Sequence, residues 1–345
     1  MMRTLARAAG AILAVALGVL VLLGLCAGYS PSGWLMLLAA GVVAVGMMTA
    51  RRRQSRRRGV ARAGLALFAL VALGREVLAG RGDTTMITLP AGTGSRWLGR
   101  VVDEQDGGLV GARLLKMVWP SLPASEQAAL VPSMRDAFVA MRASEGTTAS
   151  PVLDTLLSRQ GPDAFDTLVI EPHGRAPSAA VVFLHGYTGS FTVECWMVAE
   201  AARAIDAVTV CPATGFDGRW WSPDGERILR ATLAYVAGRH VGRTYLAGLS
   251  NGAHGASLLA PRFASSLAGL ILIAGASREG PTRGVPTLVV QGEGDTLSSA
   301  AAAHAFAART GATYAGFDGG HFVMMVRRAE VRDAIASWLR RTSPN

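Results

Sequence analysis

Forty-three consecutive residues, from Ala8 to Ala50, carry no charged side chain. A helix crosses the hydrocarbon core of a bilayer with roughly 20 apolar residues, and this run is about twice that long. It is interrupted once, by the turn-forming stretch Tyr29-Ser30-Pro31-Ser32-Gly33. Two spans joined by a tight turn are therefore expected. A cleaved leader followed by a buried helix is the alternative, and the second apolar run argues against it.

Arginines bracket the run. Arg3 and Arg7 precede it, and Arg51-Arg52-Arg53-Gln54-Ser55-Arg56-Arg57-Arg58 comes directly after it. By the positive-inside rule both ends of the hairpin face the cytoplasm. A third apolar stretch covers residues 63–80, but only Ala63 to Gly74 is free of charge. That is short for a span, although Arg75 can extend its head group to the interface. If this stretch spans, everything after residue 82 is extracytoplasmic (periplasmic or extracellular). If it lies flat, the remainder is cytoplasmic. Residues 1–82 are thus read as a membrane anchor of two to three helices, with bilayer contact through residues 8–80.

The formal net charge of +10 belongs to this anchor. Residues 1–82 hold 11 Arg and one Glu, and the rest of the chain balances 23 basic against 23 acidic groups. A neutral C-terminal part offers no general attraction to phosphate, which argues against nucleic acid as a partner.

Residues 83–160 read as a helical segment that packs on or caps the C-terminal domain, punctuated by Pro120, Pro123 and Pro151, and without a catalytic motif. A helical apolar pattern over Ala124–Ser144 contains Pro132, where a kink is expected. From Phe165 short apolar runs alternate with amphipathic ones. The expected strands are Thr167–Glu171, Ala180–Leu184, Val208–Cys211, Thr244–Ala247, Leu270–Ala274, Thr287–Gln291 and Thr313–Phe317. The expected helices are Thr192–Ala204, Glu226–Gly238, Ala253–Phe263, Ser298–Arg309 and Phe322–Arg340. This rhythm predicts a doubly wound, mostly parallel α/β sheet over residues 161–345.

One strand-to-helix turn is Gly248-Leu249-Ser250-Asn251-Gly252. In that context the G-x-S-x-G spacing exposes a serine hydroxyl on a tight, strained turn. Sixty-five residues before the serine, a strand runs into His185-Gly186-Tyr187-Thr188-Gly189, a loop able to present a backbone N–H to an oxyanion. His185 itself is read as a brace for that loop. The N–H of Asn251, next to the serine at a helix N-terminus, is the other donor. Asp295 comes after a strand in Gly292-Glu293-Gly294-Asp295, and His321 comes after the last strand in Gly319-Gly320-His321. The order Ser…Asp…His differs from those of the chymotrypsin and subtilisin folds. Asp318 and Glu293 are weaker candidates for the acid. His254 reads as structural, and His173, His240 and His304 show no partner pattern.

On these motifs residues 160–340 resemble an α/β-hydrolase-fold serine esterase, and within that superfamily the feruloyl-esterase, polyhydroxybutyrate-depolymerase and carboxylesterase types. The resemblance implies Ser250 as nucleophile, His321 as base, Asp295 as orienting acid, and Tyr187 and Asn251 as oxyanion donors. It implies an ester-type small-molecule or lipid-like substrate. No cofactor is expected, and no His/Cys/Asp/Glu cluster has metal-ligand spacing. A peptidase or acyltransferase on the same triad, or an inactive membrane-tethered scaffold, are the rivals. The complete set of Ser, His and Asp argues against the scaffold.

The glycine-rich loop after Cys211 carries Trp220 and Trp221, candidates for a substrate pocket. Phe191 and Phe322 are others. The short Gly275–Pro286 segment leaves no room for a large lid. Cys195 and Cys211 lie at the same expected sheet edge and are a candidate disulfide, which would suit an oxidising compartment.

Overall fold

The computed structural model describes residues 2–48, 54–78, 84–94, 99, 103–277 and 284–343. Arg51, Arg52 and Arg53 lie outside the described residues, as do residues 278–283 of the Gly275–Pro286 segment.

The chain opens with three helices: α1 (Met2–Ala27), α2 (Pro31–Met48) and α3 (Gln54–Leu78). Among the described residues, Ala8–Ala27 of α1 and the whole of α2 are long and apolar enough to cross a membrane. The α2–α3 contact is close because small residues meet there. A Cβ built on Gly46 would stand 2.8 Å from the Ala61 nitrogen, and one on Gly64 would stand 2.9 Å from the Ala39 carbonyl oxygen. Such small-residue seams let apolar helices approach without a hydrophobic driving force between them.

The expected turn at residues 29–33 separates α1 from α2. Ser30 Oγ accepts the Gly33 N–H at 3.1 Å, supplying one of the donors orphaned at the start of α2 with a partner. Arg75, in the last turn of α3, donates from Nη2 to Ser32 Oγ at 2.9 Å. The C-terminal end of α3 therefore lies beside the α1–α2 turn.

The remaining elements in chain order are β1 (Thr84–Leu89), α4 (Glu104–Val118), α5 (Ala124–Glu145), α6 (Val152–Leu156), β2 (Phe165–Ile170), β3 (Ala179–Leu184), α7 (Thr192–Ala202), β4 (Ala207–Pro212) and α8 (Pro223–Ala237). They continue with β5 (Arg243–Leu249), α9 (Asn251–Leu259), β6 (Gly269–Ile273), β7 (Thr287–Gly292), α10 (Ala300–Thr310), β8 (Thr313–Phe317), α11 (Val323–Val326) and α12 (Arg328–Thr342). One sheet takes all eight strands in the order β1-β2-β4-β3-β5-β6-β7-β8. β2 is antiparallel to both its neighbours, and β3 to β8 pair in parallel. The seven expected strands match β2–β8 to within two residues at each end.

β3, β4, β6 and β7 are buried along their whole length, as strands covered on both faces must be. Alternation then sorts the side chains of the inner strands between two cores. Val181, Phe183, Tyr245 and Ala247 point to the face covered by α4, α5, α7 and α12. Val182, Leu184 and Leu246 point to the face covered by α8, α9 and α10.

Residues 83–160 are not a separate helical segment. They supply β1, which pairs with β2 from Thr84↔Ile170 to Leu89↔Phe165, and two helices of one core. A boundary at residue 160 would cut the sheet. α5 also runs through Pro132 unbroken. Glu104, in the first turn of α4, accepts the N–H groups of Thr192 at 2.7 Å and Val193 at 3.0 Å, and the Ser150 hydroxyl. A carboxyl 88 residues upstream thus caps the start of α7, where orphan N–H groups and the helix dipole favour an acceptor.

Polar contacts join the domain to the N-terminal helices. Asp106 of α4 accepts the Ser30 N–H at 2.7 Å and the Ser30 hydroxyl at 2.9 Å. Arg135 of α5 donates to the Ala27 carbonyl, at the end of α1, at 2.8 Å. Cys195 of α7 and Cys211 of β4 form a disulfide, with Cα atoms 6.1 Å apart.

Candidate active site

Ser250 sits between β5 and α9 with φ 52° and ψ −117°. This is a region that non-glycine residues rarely occupy, and such strain persists only when surrounding structure holds it. Two bonds do so: the Ser250 N–H donates to Ile273 O at 2.9 Å, and its carbonyl accepts the His254 N–H at 2.9 Å. The flanking glycines are required by space. A Cβ on Gly248 would lie 2.3 Å from Gly252 O, and one on Gly252 would lie 1.9 Å from Leu184 O.

His321 comes from the loop after β8, and its Nε2 lies 3.0 Å from Ser250 Oγ. Its Nδ1 lies 2.9 Å from Asp295 Oδ2, beyond the end of β7. With the ring proton on Nδ1 donated to Asp295, the Nε2 lone pair faces the serine hydroxyl. Asp295 is itself fixed: Oδ1 accepts the N–H groups of Leu297 and Ser298 at 2.8 and 2.9 Å, and Oδ2 also accepts Gln291 Nε2 at 2.8 Å. Burial pulls the Asp295 carboxyl upward, but the hydrogen bond and charge of His321 and the two backbone donors outweigh it and hold it below its ordinary range. Asp318 is turned to solvent beside Arg327, and Glu293 bonds Tyr314. Neither faces the histidine.

The His-Gly loop stands against the nucleophile. A Cβ on Gly186 would be 3.2 Å from Ser250 Cβ, which puts the Gly186–Tyr187 peptide beside the serine. The Thr188 N–H donates to Phe216 O at 2.9 Å, and the Tyr187 and Phe216 rings meet edge-on at 5.1 Å. Asn251 is the first residue of α9, so its N–H has no carbonyl within the helix. Its side chain is tied to Asp217 O at 2.8 Å. His185 braces the loop: Nδ1 donates to Gly186 O at 2.8 Å and Nε2 accepts the Thr214 N–H at 3.0 Å. Burial pushes its imidazole down to about 4, which keeps it neutral.

The aromatic candidates separate. Trp220 is fully buried in the core under α8 and α9, its Nε1 donating to His185 O at 2.9 Å, and it lines no pocket. An indole in a glycine-rich loop buries well when its N–H finds an acceptor, and here the His-Gly loop supplies one. Trp221 packs edge-on against His254, with ring centres 4.9 Å apart. Phe191 precedes α7 and packs partly buried on the core. Phe322 meets His321 edge-on at 5.6 Å.

Three residues at the site were not signalled by any motif. Gln291 holds Asp295. Trp119, at the C-terminal end of α4, brings its ring to 6.3 Å from His321, with Met117 and Val118 exposed beside it. Glu126 of α5 accepts the Phe322 N–H. No local pattern marks Trp119 and Glu126, because their partners lie far away in sequence. Among the described residues, no group of three or more His, Cys, Asp or Glu side chains is placed to hold a metal ion.

No protein family model matches the chain, and no curated protein does. Solved structures similar to it include Est1E from Butyrivibrio proteoclasticus, at 15% identity and TM-score 0.45, over 52% of this chain and 94% of that one. A Xanthomonas campestris α/β serine hydrolase without a lid is 24% identical, with TM-score 0.45, over 53% and 91%. A Pyrococcus furiosus esterase is 14% identical, with TM-score 0.44, over 52% and 87%. The strand order, the single reversed strand β2, and the seats of Ser250, Asp295 and His321 beyond β5, β7 and β8 give this chain the α/β-hydrolase fold.

Proposed function

We propose that this protein is a membrane-anchored serine hydrolase that cleaves carboxylic esters. One observation carries the reading: an unbroken line of contacts from Ser250 Oγ through His321 to Asp295, built on a strained turn at the C-terminal edge of a parallel sheet. A free serine hydroxyl is a poor nucleophile at neutral pH, so His321 Nε2 takes its proton as Oγ attacks the ester carbonyl. The backbone N–H groups of Tyr187 and Asn251 receive the developing oxyanion. Asp295, ionised and buried, stabilises the imidazolium and keeps the ring oriented. His321 then protonates the leaving alcohol, and water, activated by the same histidine, releases the acid from the acyl-enzyme.

Apolar side chains flank the triad: Trp119 beside His321, with exposed Met117 and Val118 just before it in the chain, and Tyr187 against Phe216 on the His-Gly loop. They favour an ester with an apolar acyl or aromatic group over a charged one.

The membrane placement rests on the anchor. Ile12, Val15, Leu22, Leu25 and Leu38 present apolar side chains outward, as lipid-facing helices do. α3 is 25 residues long, about 37 Å at 1.5 Å per residue, and brings the chain back to the α1–α2 turn, with Ala63–Gly74 as its charge-free stretch. The domain docks on that turn, which α1 and α2 separate in sequence from the arginines at 3 and 7 and at 51–58. With those arginines inside, the domain lies outside the cytoplasm, and the Cys195–Cys211 disulfide suits that compartment.

The test uses the full chain in detergent micelles with nitrophenyl esters of increasing chain length and a fluorophosphonate probe. Hydrolysis and labelling are expected, and both are lost in Ser250→Ala. Equal activity in the two proteins refutes the nucleophile. For placement, Asp163→Cys, at an exposed site, is expected to react with an impermeant maleimide on intact cells; reaction only after lysis refutes the outward domain.

A further inference from the structure

α5 reaches the catalytic histidine through one side chain. Glu126, in its first turn, is only 5% exposed and lies against the loop that carries His321. Its Oε1 accepts the Phe322 N–H at 2.7 Å, across 196 residues of sequence. Its Oε2 packs on the other side of the histidine: a Cβ built on Gly320 would fall 1.9 Å from that oxygen. One carboxyl therefore bonds the backbone immediately after His321 and packs against Gly320 immediately before it.

We infer that Glu126 is a positioning residue for His321, fixing the backbone from which the imidazole reaches Ser250 Oγ. The inference rests on the reading of Ser250, Asp295 and His321 as a triad. The loop needs such a holder. Phe322 precedes the four-residue helix α11, too short to be stiff alone, and the imidazole must stay within hydrogen-bond reach of two partners at once. A displacement of about 1 Å at a reacting group can cost ~100-fold in rate.

The protonation of Glu126 fits this role. Burial pushes its carboxyl above the ordinary range. The Phe322 hydrogen bond and the His321 charge oppose that, and the Asp295 charge adds to it. Protonated or ionised, the carboxyl accepts the Phe322 N–H. The ionisable groups it faces are His321 and Asp295. Asp318, on the same loop, points to solvent with Arg327.

The experiment uses the full chain in micelles, comparing wild type, Glu126→Ala, Glu126→Gln, Gly320→Ala and the Gly320→Ala/Glu126→Ala double variant. Wild-type labelling by fluorophosphonate, absent in Ser250→Ala, first establishes the triad. If that labelling fails, the triad reading fails, whatever Glu126 does. Glu126→Ala is then expected to lower kcat by about tenfold or more, with KM within about twofold. Glu126→Gln recovers most of that loss, because an amide oxygen still accepts the Phe322 N–H. The low-field proton resonance of the His321–Asp295 hydrogen bond persists in Glu126→Gln and broadens in Glu126→Ala, a readout that needs no substrate. The atoms nearest a Cβ on Gly320 are those of the Glu126 carboxyl, so Gly320→Ala lowers kcat by itself but adds little on top of Glu126→Ala. Wild-type kcat in Glu126→Ala, equal damage in the Gln and Ala variants, or additive effects of Gly320→Ala and Glu126→Ala overturn the proposal. The Gly320→Ala arm decides it even if Glu126→Ala does not fold, since its own kcat must fall.

Discussion

Gln291 Nε2 donates to Asp295 Oδ2 at 2.8 Å, on the same oxygen that faces His321 Nδ1 at 2.9 Å. The amide is fully buried at the end of β7 and also donates to Ser298 O at 2.9 Å. It therefore fixes the direction of the acid as well as its charge. Gln291→Leu keeps the bulk and removes the donors; it is expected to lower kcat about tenfold while KM holds. Steady-state kinetics on a soluble nitrophenyl ester decide this, and an unchanged kcat means the two backbone donors suffice to hold Asp295.

Trp119 stands 6.3 Å from His321 between ring centres, beside exposed Met117 and Val118. On the proposed ester-hydrolase reading, an aromatic wall there would contact the acyl chain and not the scissile bond. Trp119→Ala is expected to flatten the chain-length profile: kcat/KM falls about tenfold for long esters and much less for acetate, since each apolar group contacted contributes roughly 1–3 kcal/mol. A uniform loss across the series would place the ring in the catalytic geometry instead.

The disulfide closes a loop between residues 16 apart. Constraint of an unfolded loop of that size is worth about 3 kcal/mol. A denaturation midpoint that moves down on reduction is expected, together with one titratable free thiol, Cys26, before reduction. Three free thiols in the native protein would remove the bridge, and with it part of the support for an oxidising compartment.

Glu194, in the first turn of α7, is pushed up to about 8 by burial and then by the charge of Glu104. The folded chain thus keeps a proton that the unfolded chain releases in the ordinary carboxylate range. Stability contributed by this group is full below that range, falls as pH rises, and levels off above about 8. Glu194→Gln is always neutral, so its Tm is expected to exceed that of wild type at pH 8 and to match it near pH 4. A constant difference at all pH values would show a packing effect only.

The interior of the sheet was legible from sequence because buried parallel strands leave an unmistakable trace: four to seven apolar, often β-branched residues between turn signals. β1 leaves no such trace. Thr84-Thr85-Met86-Ile87-Thr88-Leu89 pairs with a single neighbour and mixes threonine with apolar residues out of strict alternation, so it passes for an irregular linker. Ser250, Asp295 and His321 were readable because each comes after a strand in a glycine-rich turn. Glu104 and Glu126 were not, because a carboxyl in a helix's first turn is ordinarily a local cap. Their partners lie 88 and 196 residues onward, and only the packing of α4 and α5 brings them near. Trp220 shows the converse: its loop lies where a pocket wall belongs, yet burial with an acceptor for its N–H drew it into the core.

Asp106 gives both carboxyl oxygens to Ser30, and Arg135 caps the end of α1. A tether that merely holds an enzyme near a bilayer can be exchanged for any other of similar length. This one cannot. Cutting the chain at residue 83 strips an acceptor from Arg135 and two donors from Asp106, and a foreign anchor would have to restore a backbone N–H and a hydroxyl on one residue at that spot. Shuffling of this catalytic half between proteins is therefore expected to succeed only when residues 27–33 travel with α4 and α5, so that the seam falls inside the N-terminal helices and not in the stretch that leads to β1.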